Sequence, residues 1–239
     1  MAQAIETARR AAAFDVPILL TGETGAGKHT LAAAIHRWSP RRAGPFVTVQ
    51  WHAGTAGDSS GRIMRRPGES WRHAVLRLQA AHGGTVLFED VGTLPAALQL
   101  RFLGLLDQLP RERGVAAAMD ADARVIAASD HDLQEDVRAG RFREDLFYRL
   151  SVLRIHVPAL RDRLEDLGQL ATRILETLCR RYRRAMVELE PDVLRIFARH
   201  AWPGNVRELV SVLERATALA SGTMLLEDHL PEYLLAARS

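Results

Sequence analysis

The sequence predicts an α/β protein with a mainly parallel sheet, followed by a small all-helical subdomain. Apolar segments of strand length alternate with amphipathic helical segments as far as Val157, the pattern of a parallel sheet with helices on both faces. The glycine-rich turn Gly22–Lys28 joins the first strand to the next helix. Beyond about residue 163 only helical patterns remain. We therefore expect an α/β subdomain at residues 1–163 and a helical lid at residues 164–239.

Five short segments of strand length predict the strands, and Thr85–Phe88 has the apolar pattern of a strand buried in a parallel sheet. They are Pro17–Thr21, Phe46–Gln50, Thr85–Phe88, Arg124–Ala128 and Leu153–Val157. The intervening segments predict the helices Ala2–Phe14, Thr30–Trp38, Glu69–His82, Leu98–Leu109 and Asp132–Arg138. Three later amphipathic segments predict the lid helices Arg163–Arg183, Pro191–His200 and Val206–Ala220. The polar, glycine-containing segment Trp51–Gly68 predicts a loop.

The composition indicates a soluble globular protein, and we expect it in the cytoplasm. Of 239 residues, 47% are hydrophobic and 26% charged, which is ordinary for such a protein. The single cysteine, Cys179, excludes an internal disulfide framework and fits a reducing compartment. No run of about 20 apolar residues predicts a membrane span. The formal net charge of +3 fits a solvated arginine-rich surface or a nucleic-acid face, and no aromatic–basic alternation favours the second.

The turn Gly22–Lys28 is typical of a loop that binds phosphate. Its glycines let backbone N–H groups turn towards phosphate oxygens, and Lys28 can reach the β and γ phosphates. A glycine turn without a ligand is the alternative. His29 follows the lysine, so the usual magnesium-ligating hydroxyl is missing at that position. Thr30, one residue later, points elsewhere on the helix.

Two carboxylates, Glu89 and Asp90, follow the third strand. A pair at this place can hold Mg²⁺ and orient an attacking water. The alternative is a pair of solvated carboxylates in a turn.

Polar and basic residues later in the chain are weaker candidates. Ser129 and Asp130 end the fourth strand, where a polar side chain can sense a γ-phosphate. Arg143 and Arg149 fit either a role in trans on the phosphate of the next subunit or surface ion pairs with the adjacent carboxylates.

The segment Trp202–Leu209 predicts a turn followed by a helix. Asn205 can cap this helix, and Arg207 lies in its first turn. Because a cation there opposes the helix dipole, Arg207 is a candidate for contact with a ligand.

Together these segments resemble the central AAA+ ATPase domain of bacterial enhancer-binding proteins, the NtrC-like activators of sigma-54 RNA polymerase. The resemblance runs from about Val16 to Pro231. Its most specific stretches are Gly22–Lys28, Gly83–Gln99, Gly140–Leu150, Pro158–Asp166 and Trp202–Leu209. It implies an AAA+ three-layer sandwich with a parallel sheet and a helical lid, assembled as a ring hexamer or heptamer with ATP at subunit interfaces.

The resemblance also implies residue roles. It makes Gly22–Lys28 Walker A, Glu89-Asp90 Walker B, Ser129-Asp130 sensor I, Arg143 and Arg149 arginine fingers, and Arg207 sensor II. The catalytic set would be Glu89, Asp90, Gln50, Arg143 and Arg149, with Glu89 and Asp90 as ligands of Mg²⁺. The ATP or ADP contacts would be Gly22, Glu23, Thr24, Gly25, Ala26, Gly27, Lys28, His29, Thr30, Ser129, Asp130 and Arg207.

Four departures from the family pattern surround this chemistry. The Walker B order Asp-Glu is inverted to Glu89-Asp90, sensor I reads Ser-Asp instead of Thr-Asn, and Gln50 replaces an asparagine that restrains the catalytic glutamate. The family's Gly-Ala-Phe-Thr-Gly-Ala loop, which touches sigma-54, has no counterpart in the segment Ala56–Met64. We therefore expect slow hydrolysis and a doubtful sigma-54 contact.

Two functions stay open at this point. The chain is either an active ring ATPase in transcription control, or a nucleotide-binding regulatory module with little hydrolysis that acts without sigma-54. Its expected partners are further copies of itself and RNA polymerase or another regulatory protein. No helix-turn-helix pattern follows Leu235, so we expect no DNA-binding domain in this chain and no membrane contact.

Overall fold

The chain divides into two compact units in a computed structural model that describes residues 1–50, 67–109, 122–220 and 222–235. The sheet unit comprises Ala2–Gly22 and Lys28–Val157. The lid unit comprises Met1, Glu23–Gly27 and Pro158–Ser239. The sequence-based boundary between residues 163 and 164 stays a prediction.

The sheet unit contains every strand that the sequence predicts for the central sheet. Its elements are α1 (Ala2–Ala12), β1 (Ile18–Thr21), α2 (Lys28–Trp38), β2 (Phe46–Gln50), α3 (Pro67–Ala80), β3 (Thr85–Glu89), α4 (Ala96–Asp107), β4 (Arg124–Ser129), α5 (Leu133–Arg138), α6 (Glu144–Leu150) and β5 (Leu153–His156). The strands form one parallel sheet in the order β2-β3-β4-β1-β5. The predicted fold class, a parallel sheet between helices, is confirmed. Helix α6 is an addition, since the sequence analysis assigned no structure to that segment.

Strand residues alternate between two buried faces, as the two-residue period of a strand requires. One face carries Leu19, Val86, Phe88, Val125 and Ala127, which pack in one core with residues of α3, α4 and α6. The residues between them are also buried; they are Ile18, Leu20, Leu87, Ile126 and Ala128. On that opposite face α2 packs against β1, β3 and β4, and α1 packs against α2.

The parallel arrangement brings the carboxyl ends of the strands to one edge of the sheet. Gln50 of β2 lies beside Glu89 of β3, and Thr21 of β1 lies beside Ser129 of β4. Polar residues that are far apart in sequence therefore meet at this edge, where open α/β sheets bind their ligands. The predicted loop Trp51–Gly68 lies mostly outside the described residues.

The lid unit has its own apolar core around Trp202, which is fully buried and donates its indole N–H to the carbonyl of Phe197 at 2.8 Å. Its elements are a 3-10 helix (Leu160–Asp166), α7 (Leu167–Arg181), β6 (Glu188–Leu189), α8 (Pro191–Arg199), α9 (Asn205–Leu219), β7 (Met224–Leu225), a 3-10 helix (Glu227–His229) and α10 (Glu232–Leu235). The unit is mainly helical, as predicted. The parallel pair β6–β7 is an addition, too short to show a strand pattern in the sequence.

The predicted helix Arg163–Arg183 begins later than expected, at Leu167. Arg163 has φ −148° and ψ 45°, which no α-helix accommodates. Its side chain is 6% exposed, so it lies inside the unit rather than on a helix surface. Among the described residues, no helix is both long enough and apolar enough to cross a membrane.

Candidate nucleotide site

The glycines of the turn Gly22–Lys28 occupy backbone conformations that favour glycine. The φ angles of Gly22, Gly25 and Gly27 are 143°, 77° and 107°. A Cβ atom on Gly22 would lie 2.3 Å from the carbonyl oxygen of Val157, so space as well as φ selects glycine there. Helix α2 begins directly at Lys28, which places a helix N-terminus at the end of the turn. This is the geometry in which backbone N–H groups and a helix dipole bind phosphate.

The lysine of the turn folds back on its own loop. Lys28 is half-buried, and its Nζ donates to the carbonyl oxygen of Gly22 at 2.7 Å. His29 and Thr30 follow in the first turn of α2 and are both exposed. The ammonium group therefore lies close to the glycine backbone, the position from which the sequence analysis expects it to reach a phosphate.

Both carboxylate oxygens of Glu89 are engaged at the edge of the sheet. Oε2 accepts a hydrogen bond from Nε2 of Gln50 at 2.9 Å, and Oε1 lies 3.0 Å from Nδ1 of His29. The Glu89 side chain is 16% exposed. The His29 ring stands edge-on to Phe46, with centroids 5.9 Å apart. We define the three polar side chains of Gln50, Glu89 and His29 as the Glu89 clamp.

The sequence analysis missed one member of this clamp. It expected His29 in place of a hydroxyl and, by resemblance, as a nucleotide contact, whereas the structure places its ring within hydrogen-bond distance of Glu89. It did single out Gln50, and the pairing of β2 with β3 explains why Gln50 reaches Glu89 rather than Asp90. Asp90 leaves the strand in the left-handed region, with φ 55° and ψ 38°. Aspartate tolerates this conformation better than most residues.

Glu89 and Asp90 provide the oxygen ligands that magnesium prefers, so the residue types fit this ion. Among the described residues, no group of three or more His, Cys, Asp or Glu side chains could hold a metal by itself. Proteins commonly hold magnesium with one or two carboxylates plus substrate phosphates rather than in an all-protein cage.

The two residues proposed as sensor I differ in their availability. Ser129 is fully buried at the end of β4, and its hydroxyl accepts from the His131 amide at 3.0 Å and donates to the His131 carbonyl at 3.1 Å. Asp130 is exposed, and its carboxylate lies 3.9 Å from the His131 ring. Of the pair, Asp130 is the side chain directed to solvent.

Arg143 and Arg149 both have partners inside the sheet unit, which the sequence analysis left open. The Arg143 guanidinium donates to both oxygens of Asp145, at 3.0 and 2.7 Å, and these hydrogen bonds lower the pKa of Asp145. Arg149 donates to the carbonyl of Leu106 at 2.9 Å and lies 3.2 Å from the carboxylate of Asp107. Both belong to the end of α4, so Arg149 stabilises a helix C-terminus.

The lid unit contains the third basic candidate, Arg207, in the first turn of α9. It is exposed, and among the described residues no hydrogen bond or ion pair engages its guanidinium. The prediction that Asn205 caps α9 is wrong, because no side chain caps this helix and Asn205 is its first residue. Its amide instead contacts Leu160 and the segment Glu23–Thr24.

The parallel sheet, the glycine loop after β1 and the carboxylate pair at the carboxyl end of β3 define a protein of the P-loop class. Residues 1–156 match the Sigma-54 interaction domain family, and residues 161–239 match the AAA+ ATPase lid domain. The chain therefore belongs to the AAA+ sigma-54 interaction domain family, as the resemblance implied.

Curated relatives agree with this assignment. Over 236 residues the chain is 37% identical to the response regulator protein FleR of Pseudomonas aeruginosa, covering 93% of this chain and 48% of that protein. Over 219 residues it is 36% identical to the regulatory protein AtoC of Escherichia coli, covering 90% of this chain and 48% of that protein. The chain thus spans about half the length of these relatives.

Solved structures show the same fold. NtrX from Brucella abortus in complex with ATP superposes with a TM-score of 0.80 at 32% identity, over 98% of this chain and 55% of that one. The NtrX complex with ADP gives a TM-score of 0.79 at 30% identity, over 98% of this chain and 54% of that one. RuvB from Thermotoga maritima, with a TM-score of 0.58 at 15% identity over 99% of this chain and 65% of that one, supports the fold alone.

Proposed function

We propose that the chain binds ATP and ADP through Gly22–Lys28 and hydrolyses ATP slowly, as the ATPase domain of a sigma-54-activator-type regulator in the bacterial cytoplasm. The glycine backbone carries this proposal, because positive φ at Gly22, Gly25 and Gly27 gives the loop the shape that phosphate binding needs. ATP- and ADP-bound NtrX from Brucella abortus supports the nucleotide.

Each part of the site has a separate task in this proposal. Loop amides and Lys28 bind the phosphates, and the family resemblance assigns further nucleotide contacts to Asp130 and Arg207. Glu89 and Asp90 orient the attacking water and hold Mg²⁺, which when bound neutralises charge on the phosphate oxygens. Because catalysis of phosphoryl transfer depends on positioning, the rate depends on which carboxylate is placed to do each task.

The Glu89 clamp supports slow hydrolysis. Each oxygen of the Glu89 carboxylate already has one hydrogen-bond partner, so the clamp restrains the orientation that this carboxylate needs to accept a water proton or to bind a cation. The inverted order of Glu89 and Asp90 adds to this effect, since each carboxylate is displaced by one methylene relative to the family pattern. A displacement of about 1 Å can cost about 100-fold in rate.

Nucleotide-linked assembly into a ring is part of the proposal. Arg143 and its partner Asp145 are both nearly half exposed, with 43% and 47% of each side chain accessible. An ion pair so open to water can exchange its carboxylate for the phosphate of a neighbouring subunit at low cost. Arg143 is therefore the preferred candidate for action in trans.

A regulatory module with little or no hydrolysis is the second candidate, because both oxygens of Glu89 are engaged. One experiment separates the two. Binding of fluorescent ATP and ADP analogues and release of phosphate are measured in the same sample, with Lys28→Ala as the control. Binding with slow turnover supports the ATPase, and binding without turnover supports the module. Equal nucleotide affinity in the wild type and in Lys28→Ala would refute the site itself.

A further inference from the structure

The carbonyl groups of the phosphate-binding turn are held by residues far away in the sequence. Within the lid unit, three consecutive carbonyl oxygens each accept a hydrogen bond from the segments around Arg163 and Asn205. Nδ2 of Asn205 donates to Thr24 at 3.1 Å, the amide of Val206 to Gly25 at 3.0 Å, and Nη2 of Arg163 to Ala26 at 2.6 Å. The preceding carbonyl, that of Glu23, accepts from the amide of Ala26 at 3.1 Å.

The direction of a carbonyl fixes the direction of the next amide. A peptide group is planar and trans, so its C=O and N–H point to opposite sides. Asn205 holds the carbonyl of Thr24, so the N–H of Gly25, which belongs to the same peptide group, points away from Asn205. Arg163, by holding the carbonyl of Ala26, does the same for the N–H of Gly27. Among the described residues, neither of these N–H groups has a protein acceptor.

The Asn205 side chain is buried, and its hydrogen bonds hold it in one orientation towards the turn. Asn205 is fully buried with φ 54°, and its Oδ1 accepts from the Leu160 amide at 2.7 Å. Its Nδ2 donates to Glu23 and Thr24, each at 3.1 Å. The Glu23 carboxylate and the Thr24 carbonyl can only accept hydrogen bonds, and the Leu160 amide can only donate one. These partners therefore fix the positions of Oδ1 and Nδ2 in the Asn205 side chain.

Arg163 is a buried cation committed to the same turn. Its side chain is 6% exposed, and burial lowers its pKa. Its Nε has no hydrogen-bond partner among the described residues. Asp166 and Glu165 partly offset the positive charge, and burial outweighs them. Arg161, two residues earlier, differs: it is 44% exposed and pairs only with the side chain of Glu23.

We propose that Asn205 and Arg163 are positioning residues for phosphate binding, which aim the N–H groups of Gly25 and Gly27 at the nucleotide by holding the carbonyls of Thr24 and Ala26. This inference rests on the proposed nucleotide site. It assigns a role in ligand binding to two side chains that are too buried to contact solvent.

The test compares two arginines with the same substitution. Arg163→Met removes the donor to the turn and keeps an apolar side chain of similar length, whereas Arg161→Met removes only the exposed pair with Glu23. We expect Arg163→Met to weaken ATP and ADP binding about tenfold, as the loss of one orienting hydrogen bond to a charged ligand would. Arg161→Met should change affinity less than threefold. The turnover number at saturating ATP should stay within about twofold in both, because neither residue contacts the reacting phosphate.

Asn205→Asp provides an independent arm with almost no change in size. The aspartate keeps an acceptor for the Leu160 amide but faces Glu23 and Thr24 with a second set of acceptors. Nucleotide affinity should fall at least tenfold, and Glu23→Gln in the same chain should restore part of it by supplying a donor. A role in folding alone would lower the unfolding temperature without this rescue of affinity.

The outcomes are distinguishable from a failure of the proposed function. If the wild type binds nucleotide and both Arg163→Met and Asn205→Asp bind it equally well, the positioning role is overturned and the site stands. Failure of the wild type to bind any nucleotide overturns both.

Discussion

Removal of one contact from the Glu89 clamp should accelerate ATP hydrolysis. The change is Gln50→Leu, which deletes the amide that donates to Oε2 of Glu89 at 2.9 Å. Gln50 is exposed and lies outside the phosphate-binding turn, so the substitution leaves that turn intact. It removes one of the two contacts that restrain the orientation of the Glu89 carboxylate.

The size of the effect follows from the kind of hydrogen bond that is lost. A hydrogen bond to a charged group contributes about 1.5–3 kcal/mol, and about 1.4 kcal/mol corresponds to tenfold. Because His29 still holds the other oxygen at 3.0 Å, we expect the lower end, an increase of about tenfold in the turnover number. The affinity for an ATP analogue should be unchanged.

Phosphate release at saturating ATP and magnesium measures the rate, and equilibrium binding of a fluorescent analogue measures the affinity. Gln50→Asn is a second variant, which keeps the amide and retracts it from Glu89 by one methylene. Both variants should be faster than the wild type if the direct contact restrains Glu89. An unchanged or lower turnover number with intact binding would show that the contact supports catalysis or has no role in it.

Three further predictions concern the same domain. The double change Glu89→Asp with Asp90→Glu should raise the turnover number by restoring the family order Asp-Glu. A rate equal to that of the wild type would show that the inverted order does not slow hydrolysis. Light scattering with an ATP analogue should show species well above the monomer mass, reduced in Arg143→Ala; a strict monomer under every nucleotide condition would contradict assembly by this domain. With ADP and a transition-state metal fluoride, this domain should form no stable ternary complex with sigma-54 on a sizing column, although its family is described by that interaction. The segment between Trp51 and His82 contains no phenylalanine, so it lacks a common anchor of such contacts; a retained complex would overturn this, and nucleotide binding must be shown in the same sample.

The inner strands of the sheet could be predicted from the sequence because they are buried on both faces. Val86, Leu87 and Phe88 are consecutive apolar residues, and all of them are fully buried. The glycine turn could be predicted as well, because positive φ angles and close backbone contacts favour glycine at Gly22 and Gly25. These signals are local, so a single sequence contains them in full.

The side-chain contacts that hold the site together could not be predicted from the sequence, because each joins residues far apart in the chain. His29 and Glu89 are 60 positions apart, Arg163 and Ala26 are 137 apart, and Asn205 and Thr24 are 181 apart. The helical pattern of Arg163–Arg183 predicted a helix at Arg163, where the backbone is not helical and the residue is buried. The burial of Arg163 and Asn205 points to these contacts, and burial of an arginine or an asparagine cannot be read from a single sequence.

Arg143 and Arg149 show how the structure separates two residues that the sequence treated alike. Arg149 donates to the last turn of α4 and is 22% exposed, so any role on a neighbouring subunit would require it to abandon the carbonyl of Leu106. Arg143 pairs with an exposed carboxylate only two residues away, and its loss leaves no buried group unsatisfied. A change at Arg143 therefore tests assembly without disturbing the fold, whereas a change at Arg149 alters the end of a helix as well as any contact in trans.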